Sequence, residues 1–465
     1  MFRRDDRWSW AEEGLYSAPS RNKTMTQGEY FGTSGIRGHV GTDVDAELAL
    51  TVGRAVAAET DRVVVGRDAR TSGPMLAGAL TAGLTECGTD VVDVGVASTP
   101  TIARGVAEQD ADAGIAVTAS HNPPQDNGLK LWQPTGQAYD QPLQDRLVNR
   151  IRTGEFDRQP WNNIGQRSSW TGAQASHAEA ISEAVDSVES VSVVIDIGNG
   201  AGGVSVEALQ AIGCSVETLN AQPDGRFPGR PSEPTAENCS TLSTTVGETD
   251  ADLGIAHDGD ADRMMAVTGD GEFVPGDVLL ALFAREAAGA GDRVAVPVDT
   301  SLLVADTLEA VGAEVVLTRV GDVFVAERTT EEGVVFGGEP SGAWIFPEDT
   351  LCPDGPLAAA KLVELVAETG PLAEQIADFE RYPTRRTTFE ITDKIGVMER
   401  ISATVRNEYD SVDTLDGVRV DLGDAWFLLR ASGTEPRIRV TAEARDPQRA
   451  DTVFETASRL VEQQM

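Results

Sequence analysis

Three times along the chain a nearly unbroken run of Val, Ile and Ala gives way to a polar loop, a helical pattern, a Gly stop and a second apolar run. RVVVGRD (62–68) precedes a small-residue helical pattern and then CGTDVVDVG. VSVVIDIGNG (191–200) precedes VEALQAIG and then CSVETLN, and RVAVPVDTS (293–301) precedes VADTLEAVG and then AEVVLTRVG. Strands that are apolar on both faces belong in a parallel sheet covered by helices on each side. Such a unit recurring three times predicts three related α/β domains with mixed, largely parallel sheets. The C-terminal part breaks the pattern. RRTTFEIT, GVRVDL, AWFLLR and IRVTAEA read as hairpin-linked strands, notably through Gly423-Asp424. A last helix carries Ala450, Val453, Phe454, Ala457, Leu460 and Val461 on one face. Together these predict a smaller α+β domain.

The boundaries follow from these shifts: a polar extension over 1–28, α/β domains over 29–165, 166–270 and 271–378, and the C-terminal domain over 379–465. Gly, Asn and Ser near 153–176 mark the first linker. The extension holds Trp8 and Trp10 without periodicity. It reads either as a disordered arm or as sequence upstream of a start at Met25.

At 465 residues the length fits about three domains of roughly 150 residues. Hydrophobic residues make up 40%, enough for sizeable cores. The net charge of −37 repels phosphodiester backbones and anionic bilayers, so neither nucleic acid nor membrane is an expected partner. No apolar run reaches the ~18 residues of a membrane span, and the charged start has no signal core. Cys87, Cys214, Cys239 and Cys352 form no CxxC pair, which points to a reduced, cytoplasmic protein without zinc. Only four of the 38 basic residues are lysine: Lys23, Lys130, Lys361 and Lys394. Pervasive acid with scarce lysine suits a salt-rich cytoplasm, as in a halophilic archaeon, where a Debye length of roughly 3 Å at 1 M salt screens self-repulsion. Nothing in the chain reports an oligomeric state.

Four strings carry chemistry. In TASHNPPQDNGLK (118–130), Ser120 follows an apolar strand, and the turn formers Asn122-Pro123-Pro124 and Asn127-Gly128 would display it on a rigid loop beside Lys130. The same string also fits a plain turn. In HDGDADR (257–263), Asp258, Asp260 and Asp262 offer hard oxygen ligands suited to Mg²⁺ or Ca²⁺. An EF-hand is rejected, since its sixth and twelfth positions are Arg263 and Gly269. His257 reads as a packing residue and not a ligand. In GGEPSG (337–342), Glu339 and Ser341 present an acceptor and a hydroxyl, and a simple turn fits equally. In RASGTEPRIR (430–439), Arg430, Ser432, Gly433 and Thr434 can cradle a phosphate. A competing signal is GNGAGG (198–203), with Glu217 about 20 residues on, the pattern of a Rossmann-type NAD(P) site. The same unit recurs twice without those glycines, so the repeat accounts for it.

Taken together and in this order, the four strings resemble the signature loops of the α-D-phosphohexomutase superfamily, over about residues 30 to 445. FGTSGIRG (31–38) is similar to that family's opening segment. The resemblance implies a central cleft and exchange of phosphate between O1 and O6 of glucose, mannose or glucosamine. It implies a phosphoserine at Ser120 and a hexose 1,6-bisphosphate that serves as intermediate and activator. One Mg²⁺ would lie on Ser120, Asp258, Asp260 and Asp262, with Arg263 beside it. Glu339 and Ser341 would grip sugar hydroxyls. Arg430, Ser432, Gly433, Thr434 and Arg439 would hold the distal phosphate. Related enzymes often carry histidine after the GExSG string, where this chain has Ala343 and Trp344. That leaves Lys130, His121 and Arg37 to move protons or stabilise charge, Lys130 as a base if its surroundings lower its pKa.

Overall fold

The computed structural model describes residues 35–188, 190–432 and 436–465. The polar extension, the first half of FGTSGIRG, and Gly433 and Thr434 lie outside the described residues. Each expected α/β unit builds its own sheet. The first has six strands in the order Ile36–His39, Asp126–Trp132, Ala113–Val117, Arg62–Arg67, Asp90–Val96 and Arg167–Ser169. The last four run parallel to one another, and Asp126–Trp132 alone is antiparallel to both of its neighbours. The second orders Met264–Thr268, Leu253–His257, Ser192–Asp196 and Ser215–Leu219, and the third Glu314–Thr318, Arg293–Pro297, Val334–Gly338 and Trp344–Ile345. In each the repeat strand sits inside the sheet, where both faces are covered. The C-terminal domain is a five-stranded, fully antiparallel sheet. Helices Lys394–Glu408 and Pro447–Glu462 pack on it. The final helix buries Ala450, Val453, Ala457, Leu460 and Val461, the face its spacing marks, with Phe454 partly covered.

One boundary differs from the sequence reading. Arg167–Ser169 pairs with Asp90–Val96, so the first sheet extends past residue 165. All three of its residues are exposed, so this edge strand carries no apolar pattern to read. The second and third units also share one hydrophobic core, which joins Ile195 and Leu209 to Leu280, Phe336 and Leu362. The cause is helix Gly355–Thr369, which lies in the third unit yet packs on helix Val204–Ala211 of the second.

That helix is capped by Asp354, whose Oδ1 accepts from Leu357 N at 3.0 Å. Its Oδ2 takes Arg104 Nε at 2.9 Å and His177 Nε2 at 3.0 Å, from the first and second units. A single buried carboxylate thus ties three units together behind the loops that follow their strands. No helix among the described residues is long and apolar enough to cross a membrane.

Candidate active site

Ser120 lies on the loop after strand Ala113–Val117 and is 1% exposed. Its φ of +50° is in the left-handed region, uncommon for a serine and frequent at functional positions. Its N–H donates to Thr118 Oγ1 at 2.9 Å, and that hydroxyl donates to buried Asp68 at 2.8 Å. The strained turn therefore aims Ser120 Oγ across to the second unit, where it donates to Asp258 Oδ2 at 2.5 Å. The loops touch closely. A Cβ on Gly259 would lie 2.7 Å from the Ser120 carbonyl oxygen, so only glycine fits there.

Asp258, Asp260 and Asp262 are all buried, and one carboxylate oxygen from each lies within 4.8 Å of the others. Burial and the neighbouring acids push Asp258 well above the usual carboxylate range and raise Asp262 as well. For Asp260 burial acts in the same direction, but Lys130, the Thr99 hydroxyl and Arg37 hold it far below. Thr99, at the N-terminus of helix Thr99–Glu108, donates its hydroxyl to Asp260 Oδ2 at 2.6 Å. The Oδ1 atoms of Asp260 and Asp262 are buried and accept no hydrogen bond among the described residues. Free, hard, mutually repelling oxygens of this kind fit a divalent cation such as Mg²⁺.

Lys130 Nζ contacts Asp260 Oδ2 at 3.1 Å and also Asp262. Burial alone would lower its pKa, but these two carboxylates raise it above that of an ordinary lysine. Against these two carboxylates Lys130 is held as a positive charge. His121 Nδ1 is 3.4 Å from Ser120 Oγ. Burial, then Arg263, Arg37 and Lys130, push His121 down to about 2, so it is neutral and a very weak base. Arg37, on the edge strand Ile36–His39, has a buried Nε that makes no hydrogen bond among the described residues. His257 is held by Ser205 Oγ at 2.7 Å and the Arg263 carbonyl at 2.8 Å, as a packing residue should be.

The sugar-loop residues lie next door. Arg263 forms a β-bridge with Ala343, which joins the acidic loop to the GGEPSG turn. Glu339 accepts from Gly321 N at 2.7 Å and from Ser341 Oγ at 3.3 Å. Burial, then Asp322, push its carboxyl up to about 7. Ala343 brings no titratable group, and Trp344 turns its indole N–H to the Met264 carbonyl at 2.8 Å, so neither replaces a histidine.

In the C-terminal sheet Arg430 and Arg439 are directly opposed across two strands and share a face. Like charges so placed repel, and an anion between them relieves this. Arg430 Nε pairs with Asp416 Oδ2 at 2.9 Å, and Asp416 also accepts from Val320 N of the third unit at 3.0 Å. Ser432 is buried, and its carbonyl takes Lys394 Nζ at 2.5 Å.

Sequence reasoning missed two buried arginines. Arg70 pairs with Asp68 at 2.9 Å, and Arg230 with Asp196 at 2.6 Å. Both acids end a repeat strand, which was the available signal. The GNGAGG glycines also find their reason here. A Cβ on Gly200 would lie 2.6 Å from the Gly259 carbonyl oxygen, so the loop is small to receive the acidic loop.

Comparison with known proteins agrees with this geometry. Sequence profiles described as phosphoglucomutase/phosphomannomutase alpha/beta/alpha domains I, II and III match residues 28–158, 175–271 and 275–382, and the C-terminal domain profile matches 384–459. The "Probable phosphoglucosamine mutase" of Methanopyrus kandleri is 47% identical over 91% of this chain and 95% of its own length. That of Methanosarcina barkeri is 46% identical over 93% and 99%. Among solved structures, a phosphoglucomutase/phosphomannomutase family protein from Burkholderia thailandensis superposes with a TM-score of 0.84 at 29% identity, covering 95% of this chain and 98% of that one. None of these similarities supports a Rossmann-type oxidoreductase. With all four domains matched in order around a buried serine and an acid triad, the chain belongs to the phosphoglucomutase/phosphomannomutase family and is a phosphohexomutase.

Proposed function

We propose that the chain interconverts glucosamine 1-phosphate and glucosamine 6-phosphate in the cytoplasm, through a phosphoserine at Ser120 and a bound 1,6-bisphosphate. One observation carries the chemistry: the 2.5 Å contact between Ser120 Oγ and an acid triad with free oxygens. The choice of glucosamine over glucose and mannose rests on the 47% and 46% identity to the two archaeal relatives.

Phosphoryl transfer asks for positioning and charge neutralisation more than covalent help. Ser120 carries the phosphoryl group. Asp258, Asp260 and Asp262 would hold Mg²⁺, which when bound withdraws charge from a phosphoryl oxygen. Lys130 and Arg37 add fixed positive charge on the side of the first unit, and Arg263 adds it beside the sugar loop. Glu339 and Ser341 accept and donate hydrogen bonds at the sugar hydroxyls. Arg430, Arg439 and the Ser432 turn hold the phosphate that is not reacting, in either orientation of the bisphosphate.

A coupled assay with the 1-phosphates of glucosamine, mannose and glucose tests this reading, run from about 0.1 to 2 M KCl. Glucosamine 1-phosphate should give the highest kcat/KM. Activity and melting temperature should both rise with salt, because the charge of −37 is then screened. Preference for another sugar overturns the substrate, and a flat or falling salt profile overturns the salt-rich cytoplasm.

The carboxyl of Glu339, pushed up to about 7, adds a pH dependence. The ionised form is the better acceptor for sugar hydroxyls, so protonation on acidification weakens binding. Between pH 8 and pH 6 its ionised fraction falls roughly 10-fold, and KM should rise by about that factor. The phosphate of the substrate also titrates near pH 6, so Glu339→Gln is the control. Its KM should be higher at pH 8 and its profile flatter. A profile parallel to wild type would show that Glu339 does not set the dependence.

A further inference from the structure

The carbonyl groups of the Ser120 loop converge on one guanidinium. Arg70 is fully buried and uses all five of its N–H donors. Nε donates to Asp68 Oδ2 at 2.9 Å. Nη1 donates to the carbonyls of Pro123 at 2.6 Å and Asp126 at 2.8 Å. Nη2 donates to those of Ser120 at 2.8 Å and Asn122 at 2.6 Å. Residues 120–125 belong to no strand or helix, so the buried Ser120 carbonyl and the part-buried Asn122 carbonyl have no ladder to join and take donors from elsewhere, while the Pro123 carbonyl also accepts from Asp126 N at 3.1 Å. A planar fork with five fixed donors suits four carbonyls and one carboxylate. The second unit closes over this arrangement. Phe227 places its ring 5.0 Å from the guanidinium carbon, and Ser232 Oγ adds a 2.9 Å bond to the same Ser120 carbonyl. Asp68 also holds the N-terminal side of the turn, through Thr118 to Ser120 N.

We propose that Arg70 is a positioning residue for phosphoryl transfer: by gripping the Ser120, Asn122, Pro123 and Asp126 carbonyls it keeps Ser120 in its left-handed turn, aimed at Asp258. This rests on Ser120 as the phosphoryl carrier. Among the described residues none of Arg70's hydrogen bonds or ion pairs reaches the acid triad, the sugar loop or Arg430, so it acts on the reacting oxygen through the loop. A displacement of about 1 Å at a reacting group costs roughly 10²-fold in rate.

Arg70→Lys keeps a cation for Asp68 but has three donors and no plane. The double variant Asp68→Asn/Arg70→Gln removes both buried charges together, which avoids leaving one unpaired. Each is compared with wild type in about 2 M KCl for folding by near-UV circular dichroism, kcat, KM, and the rate at which added glucose 1,6-bisphosphate phosphorylates Ser120, read by intact mass. The expected result is a folded Arg70→Lys protein with kcat and Ser120 phosphorylation both lowered roughly 10²-fold and KM within about threefold of wild type. A folded variant that phosphorylates Ser120 at the wild-type rate overturns the proposal. So does loss of fold in both variants, which would make Arg70 a stability element. A wild-type protein that never takes phosphate on Ser120 would instead defeat the phosphoserine reading itself, and that failure is distinct from the other two.

Discussion

Ser120→Ala should lose turnover by roughly 10⁴-fold or more while keeping its fold and its grip on substrate. The serine hydroxyl donates to Asp258 at 2.5 Å, and no other hydroxyl lies on the loop between Ser120 and Asp126. Its removal takes away the hydroxyl proposed to carry the phosphoryl group. On the proposed reading substrate binding rests on other units, through Glu339, Ser341 and Arg430, so KM should change little. The stability cost should be modest, about 1 kcal/mol for the lost hydrogen bond. Alanine also gains nothing at a φ of +50°. Intact mass should show one phosphoryl group on part of the wild-type protein and none on the variant. Turnover close to wild type in the variant would remove the phosphoserine mechanism altogether.

What the sequence made legible was local. The repeat strands announce themselves because each is apolar on both faces, and the four loops are contiguous strings whose residue types already imply oxygen ligands, a displayed hydroxyl and an anion cradle. What it hid was set by distance along the chain. Arg70 grips carbonyls 50 to 56 residues away, and no local pattern reports that. The charge of Lys130 is set by its contacts with Asp260 and Asp262, 130 and 132 residues along the chain, which no local pattern reports. GNGAGG matches a nucleotide fingerprint because close backbone approach demands glycine whatever approaches, and here the partner is Gly259. Strand Arg167–Ser169 escaped notice because an exposed edge carries no hydrophobic alternation.

Asp260→Asn should abolish Mg²⁺ binding and sharply lower turnover, and the two losses can be measured separately. Asp260 is the triad member held most firmly ionised, with Lys130 at 3.1 Å and Thr99 at 2.6 Å on its Oδ2. Its free Oδ1 is then available to a cation. Asn keeps the shape but removes the charge and leaves Lys130 with Asp262 alone. In the wild type, Mg²⁺ at about 100 times its Kd should add about 2.7 kcal/mol to stability, seen as a rise in melting temperature that a chelator reverses. In Asp260→Asn that rise should vanish, and kcat should fall by roughly 10³-fold. The sign of the pH effect follows from the neighbours. Asp258 and Asp262 have raised pKa values, so on acidification they retain protons that a cation must displace. Binding should therefore release protons, and affinity should weaken as pH falls. Calorimetric titration of Mg²⁺ in two buffers of different ionisation enthalpy reads the proton release directly. Equal heats in both buffers would mean that the triad carboxylates are already ionised before the cation binds, whereas an undiminished melting shift in Asp260→Asn would mean that the cation binds elsewhere and that the triad serves only to hold Lys130 and Arg263.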